Sequence, residues 1–308
     1  MTGRFAPSPT GDLHVGNLRT ALLAWLMARR SRRRFVVRME DLDVVTASPE
    51  AAADQLSDLA ALGIDWDGDV IVQSERFDRY RAAIAKLTAA GLVYPCFCTR
   101  REIRAEIAAA AAAPHGVAGI PGGYPGTCRD LTDAERDERR AAGRPAALRL
   151  RAEATTIAFT DVIAGPSEGP VDDVVLARAD GVPAYNLAVV VDDAAQGVTQ
   201  VVRGDDLLAS TPRHVLLQRL LGFPTPEYLH VPLVVGDDGQ RLAKRHGAVT
   251  LDALGEEGWS PADVVAALAR SLGLAVQGER VTVQRLVERF DPALIPTSPV
   301  TLRDLLDR

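Results

Sequence analysis

The sequence predicts an α/β fold: a parallel sheet with helices on both faces. Three observations predict it. Over residues 1–92, short apolar runs alternate with stretches of helical period, a strand–helix–strand rhythm that pairs strands in parallel through crossover helices. The stretches carry helix-boundary residues at their ends, such as Ser48-Pro49 before one and Gly91 after another. The 308 residues, 47% apolar and 25% charged, suffice for two or three domains with a substantial core.

In order, Arg4–Ala6 is expected as a strand, Thr10-Gly11 as a turn and Leu13–Arg30 as a helix, because Leu13, Leu18, Leu22, Leu23 and Leu26 recur on one face. Phe35–Met39 is a strand, Pro49–Leu62 and Phe77–Ala90 are helices, and Asp65–Asp67 is a turn. Residues 93–184 change character: Tyr94–Cys98, an alanine-rich helix from Arg100, a Gly/Pro loop, a charged helix over Asp130–Ala142 and short strands at Ala147–Arg151 and Thr156–Asp161. This reads as an insertion into the sheet. Tyr185–Asp193 is apolar without a decisive period and stays open between strand and helix. Val198–Arg203 and Tyr228–Leu233 are strands flanking the helix Thr211–Leu221, and residues 246–308 read as helical, with Pro261–Leu272 the clearest. The resulting division is a split sheet domain (1–92 and 185–245), an inserted subdomain (93–184) and a helical C-terminal region (246–308).

Composition excludes several classes. No apolar run approaches the ~20 residues of a membrane span, and MTGRFAPSP has no signal-peptide core, so a cytoplasmic chain is expected. A net charge of −6 argues against a general nucleic-acid coat and leaves room for a local RNA-binding patch. Arg29–Arg34 is the dense basic run, read either as such a patch or as a helix end whose cations complement the dipole. No GxGxxG fingerprint is present, so the sheet is not expected to bind NAD. The odd count of three cysteines argues against a disulfide framework.

The residues that carry chemistry cluster at predicted strand ends. Arg4–Arg19 (RFAPSPTGDLHVGNLR) is an extended Pro-rich segment, a turn and a helix N-terminus, a geometry suited to a phosphate, with His14 able to donate to a phosphoryl oxygen and Gly16 leaving room for a nucleotide. Glu40 ends one strand within a cluster of three carboxylates, suited to a metal or an ammonium. Arg203 ends another and can hold a carboxylate bidentately, unless Asp205 or Asp206 takes it. With Arg4, two arginines about one small ligand imply an acidic amino acid. Cys96, Cys98 and Cys128 could ligate zinc with Tyr124 or His115 as the fourth donor, against the alternative of buried free thiols.

PSPTG followed by HVGN resembles the first signature motif of class I aminoacyl-tRNA synthetases in its glutamate-type form, and QRLAKR (240–245) is similar to the lysine loop that closes over the same ATP. VRMEDLD, YNLAVVVDD and VRGDDL match that type, and C-x-C…Y-x-x-x-C resembles the zinc site of the short, glutamyl-queuosine branch. The resemblance implies a Rossmann-like catalytic domain with an inserted zinc-bearing subdomain. It implies a glutamate pocket from Arg4, Phe5, Ala6, Pro7, Ser8, Glu40, Tyr185 and Arg203. ATP would be bound by Thr10, His14, Gly16, Asn17 and Lys244, with His14 and Lys244 catalytic and Mg²⁺ accompanying ATP. Zinc would be held by Cys96, Cys98, Tyr124 and Cys128. The implied reaction is activation of L-glutamate without tRNA and transfer to the queuosine base of tRNA(Asp), by a monomer with no anticodon-binding domain. A glutamyl-tRNA synthetase truncated to this length, charging tRNA(Glu), and an inactive RNA- or nucleotide-binding paralogue are the alternatives. Ala243 stands where the family's lysine loop usually has serine, which implies slower or weaker use of ATP.

Overall fold

The computed structural model describes residues 1–112, 123–242 and 249–307. The first stretch contains β1 (Thr2–Phe5), α1 (Val15–Arg30), β2 (Arg34–Met39), α2 (Pro49–Ala61), β3 (Ile71–Val72) and α3 (Phe77–Ala89). Next come β4 (Val93–Cys96), α4 (Arg100–Ala112), α5 (Asp133–Ala141), β5 (Ala147–Leu150), β6 (Thr156–Asp161), β7 (Gly165–Pro170) and β8 (Val175–Ala177). The chain then returns through α6 (Tyr185–Ala195), β9 (Gln200–Gly204), α7 (Thr211–Leu221), β10 (Glu227–Val231) and β11 (Val234–Val235). It finishes with α8 (Leu251–Glu256), α9 (Pro261–Ser271), α10 (Val283–Arg289), β12 (Val300–Thr301) and α11 (Leu302–Leu306).

The central sheet runs β3-β2-β1-β9-β10-β6-β7 and is parallel except for the β6–β7 hairpin. β1 pairs with β2 on one side and β9 on the other, so the strand order reverses at β1 and leaves a crevice at the carboxyl ends of these strands. Neighbouring strand residues point to opposite faces, and the core splits accordingly. Val202 and Leu229 join α1, α2 and the C-terminal helices on one face, while Val201 and Tyr228 join α3, α6 and α7 on the other.

The structure resolves one local reading left open and differs from two others. The run from Tyr185 is helical: Leu187–Asp193 are all buried, packed between α3, α7 and β8, so no polar face marks the helical period. The β6–β7 hairpin lies within the stretch read as an insertion, yet β6 joins β10 through Tyr228↔Asp161 and extends the central sheet. The sheet proper to the insertion is the antiparallel β4-β5-β8. The charged helix starts at Asp133 rather than Asp130, because Thr132 and Glu135 form a capping box there. Part of the basic run is already neutralised: Arg29 pairs with Asp65 and Asp67 at 3.0 and 2.7 Å, and Arg33 with Glu227 at 3.2 Å. Among the described residues no helix is long and apolar enough to cross a membrane.

Candidate active site

The crevice at the strand ends opens into a cleft of about 920 Å³. Its walls are the end of β1 and the segment after it (Phe5–Ser8), the start of α1, Glu40 at the end of β2, Val202–Gly204 at the end of β9, and Tyr185 at the start of α6. All twelve described residues assigned above to glutamate or ATP line this one cleft: Arg4, Phe5, Ala6, Pro7, Ser8, Thr10, His14, Gly16, Asn17, Glu40, Tyr185 and Arg203. Lys244, Ala243 and His115 lie outside the described residues. Arg241 and Leu242 on one side of the lysine loop, and Val249 and Thr250 on the other, line the same cleft.

His14 is the N-cap of α1, one position before its first turn. Its Nδ1 accepts the Asn17 amide at 3.2 Å, and the Asn17 carboxamide oxygen accepts the His14 amide at 3.3 Å. This capping box fixes the imidazole tautomer: Nδ1 is an acceptor, so in the neutral ring Nε2 carries the proton. Burial and the positive Arg241 lower the His14 pKa, which favours that neutral form. Asn17 therefore acts on the cleft at least in part by orienting His14. Gly16 has a tighter role than leaving room for a nucleotide. A Cβ there would stand 3.0 Å from the His14 ring, so any side chain would push the imidazole aside. The amide of Val15 is taken by Val249 at 3.0 Å, which ties the segment following the lysine loop to the start of α1.

Charge at the cleft floor is organised in two groups. In the first, Arg38 is fully buried and donates to Asp193 at 2.8 Å, Gln196 at 2.8 Å and Glu40 at 2.9 Å. Arg4 donates to the Val202 carbonyl at 3.2 Å and lies 3.6 Å from Asp193, its buried Nε having no hydrogen-bond acceptor among the described residues. Burial raises the Glu40 pKa against the opposing pull of Arg38 and Arg4, and one Glu40 oxygen is committed to Arg38. In the second group, Arg203 is 5% exposed. It donates to His230 Nε2 at 3.0 Å, Thr211 Oγ1 at 2.8 Å and the Leu207 carbonyl at 3.4 Å, and its NH1 stands 3.2 Å from His214 Nδ1. Neither Asp205 nor Asp206 pairs with it; Asp206 is bound instead by Arg241 at 2.8 Å. Arg203 is thus a buried cation that no described carboxylate neutralises. Arg38, Asp193, His214 and His230 escaped the sequence reading because their partners are distant in the chain. The only signal was that Arg38 and Asp193 fall in strings already singled out, VRMEDLD and YNLAVVVDD.

The three cysteines gather at the start of the insertion. Their sulfurs lie within 4.8 Å of one another. Cys98 Sγ is 3.5 Å from Cys128 Sγ, and the Tyr124 hydroxyl is 3.3 Å from Cys96 Sγ and 3.8 Å from Cys98 Sγ. Four ligands arranged tetrahedrally at ~2.3 Å from a zinc ion stand ~3.7 Å apart, so these spacings fit one ion with Tyr124 as fourth donor.

Residues 1–294 match the family described as tRNA synthetases class I (E and Q), catalytic domain. The chain belongs to that family and is an ATP-dependent ligase whose substrates are glutamate, ATP and tRNA. Within the family it resembles the glutamyl-Q tRNA(Asp) synthetases: the protein of that name from Nocardia farcinica is 62% identical over 98% of this chain and 93% of its own length. The glutamate–tRNA ligase of Aquifex aeolicus is 45% identical over 84% of this chain and 54% of its own length. The crystal structure of a glutamate tRNA ligase from Elizabethkingia meningosepticum in complex with its amino acid covers 99% of this chain and 68% of that one, at a TM-score of 0.83 and 27% identity.

Proposed function

We propose that this chain activates L-glutamate with ATP in the absence of tRNA and transfers the glutamyl group to the queuosine base at the wobble position of tRNA(Asp). The observation that carries the activation step is the single cleft in which an unneutralised Arg203 and Arg4 face the start of α1 and His14. Arg203 and Arg4 bind the side-chain carboxylate. Glu40 and Tyr185 hold the ammonium end. The α-carboxylate then attacks the α-phosphorus of ATP, pyrophosphate leaves, and glutamyl-adenylate remains. The His14 Nε2–H donates to the phosphoryl oxygen on which charge develops, Lys244 neutralises the same charge, and the α1 N-terminus adds its dipole. Mg²⁺ accompanies the triphosphate.

The choice of acceptor rests on the relatives. A second cleft of about 1030 Å³ shares Ser8, Glu40 and Tyr185 with the first and runs to Cys98, Thr99 and Arg100, which supports an acceptor entering between the sheet and the insertion. Its nucleophile attacks the adenylate carbonyl and AMP leaves. Glutamate, ATP and tRNA meet in the cytoplasm, where we place the enzyme.

Glutamate-dependent ATP–pyrophosphate exchange is expected without tRNA, followed by glutamylation of queuosine-containing tRNA(Asp) and not of tRNA(Asp) lacking queuosine. Exchange that requires tRNA(Glu), with charging of its 3′ end, would replace this reading with that of a glutamate–tRNA ligase. Absence of exchange under both conditions would make the chain an inactive paralogue.

Zinc belongs to the same proposal, held by Cys96, Cys98, Cys128 and Tyr124. It supplies a structural cross-link between the end of β4 and the segment before α5. About one zinc per chain is expected in purified protein, with Cys128→Ser losing it and loosening the insertion, as thiolate-bound structural zinc contributes folding energy. Metal-free protein with unchanged thermal stability would return the cysteines to ordinary packing.

A further inference from the structure

Arg203 is surrounded by acceptors, and those described carry no formal negative charge: two imidazoles, a hydroxyl and a carbonyl. We propose that His230 and His214 are positioning residues for Arg203: as uncharged acceptors they aim its guanidinium at the cleft while leaving its charge for the side-chain carboxylate of the amino acid. The inference rests on the reading of Arg203 as that carboxylate's partner.

The tautomers support it. His230 Nδ1 stands 2.6 Å from Asp161 Oδ2, so it carries the proton, and the Nε2 lone pair receives Arg203 Nε–H. Asp161 is itself held by the amides of Ile163, Ala164 and His230 at 2.9, 2.8 and 3.1 Å. His214 Nε2 lies 2.9 Å from Asn186 Oδ1, so it carries the proton there and leaves Nδ1 for Arg203 NH1. Both rings are buried. A carboxylate in place of either ring would satisfy Arg203 as well, but it would spend the charge and repel the incoming substrate carboxylate.

Protonation reverses the arrangement. His230 on β10 faces Asp161 on β6, Arg203 on β9, Arg4 on β1, His214 and Thr211 on α7 and Asp205 after β9, and stacks at 6.0 Å on Tyr228. His214 adds Arg213 as a positive neighbour. Burial, with the nearby arginines, lowers both histidine pKa values. The neutral cradle is therefore complete at neutral pH and is lost only as the pH falls below the unperturbed ~6.5, whereas the substrate's own side-chain carboxyl titrates near ~4.3.

Equilibrium glutamate binding by the full chain tests this, with His230→Leu, His230→Gln and Arg203→Met alongside the wild type. His230→Leu is expected to weaken glutamate about ten-fold or more and leave ATP binding unchanged, since one hydrogen bond orienting a charged group is lost. His230→Gln supplies a neutral oxygen that cannot be protonated. It is expected to restore binding to within about three-fold, and to reduce the weakening expected of the wild type as the pH falls below the unperturbed ~6.5. If His230→Leu binds glutamate normally while Arg203→Met does not, the positioning role is wrong and the reading of Arg203 stands. Normal glutamate binding by Arg203→Met removes both. Loss of ATP and glutamate binding together in His230→Leu and His230→Gln would show a merely structural histidine.

Discussion

Replacing Arg203 with methionine is expected to abolish glutamate-dependent pyrophosphate exchange at ordinary glutamate concentrations while leaving the fold as stable as before, or more so. The two halves follow from one fact: no described carboxylate neutralises this buried guanidinium. Burying a charge costs several kcal/mol unless a partner compensates it, so exchanging it for an apolar side chain of similar length relieves a cost in the free protein. Thr211 remains 3.1 Å from His230 Nε2, so the histidine keeps a partner. In the complex the sign is opposite. The substrate carboxylate loses a charge-assisted partner and keeps only Arg4; truncating one side of a buried hydrogen-bonded charge pair costs ~2–5 kcal/mol, so KM for glutamate should rise about 10²–10³-fold. Lysine should rescue little, because a point charge does not reproduce the guanidinium fork. Exchange kinetics and thermal denaturation on the same preparation check the pair. A near-normal KM, or loss of activity only through unfolding, would remove Arg203 from the pocket.

Legibility followed the range over which residues act. The Arg4–Asn17 string was readable because it is contiguous: two prolines, a turn and a helix start are local features, and the sheet then needs only to bring Glu40 and Arg203 to the ends of β2 and β9, the two strands that flank β1. The one-position shift of His14 from helix turn to N-cap reflects the capping box with Asn17, which competes with the apolar period that begins at Leu13. The helix from Tyr185 was undecidable because burial on every side erases the period. The joining of β6 to β10 depends on a backbone pairing across 67 positions, Tyr228 with Asp161, for which sequence offers no mark. The polar networks were hidden for the same reason. Arg38 meets Asp193 at a separation of 155 residues, and Asp161 meets His230 at 69.

The Arg38 network supports a prediction of the reverse kind, in which stability should fail. Asp193→Ala is expected to cost about 3–5 kcal/mol, the usual result of breaking a buried ion pair on one side. Arg38 would keep Glu40 and Gln196, but Arg4 would lose the one described carboxylate within ion-pair distance. Two buried guanidinium groups would then compete for Glu40, the same carboxylate that lines the cleft, so glutamate binding should weaken as well. Asparagine at 193 keeps the shape and one acceptor and should lie between wild type and alanine. Arg38→Met combined with Asp193→Leu removes both charges of the tightest pair and should recover much of the stability lost by Asp193→Ala, because replacing a whole buried pair is far cheaper than orphaning one member. Glutamate binding should not recover in that double variant, since Glu40 no longer has Arg38 to hold it. Urea denaturation with parallel glutamate binding separates the terms. A loss under about 1 kcal/mol for Asp193→Ala would mean that water reaches Arg4 and Arg38 and that the floor of the cleft is not the dry, charge-balanced layer from which this prediction follows.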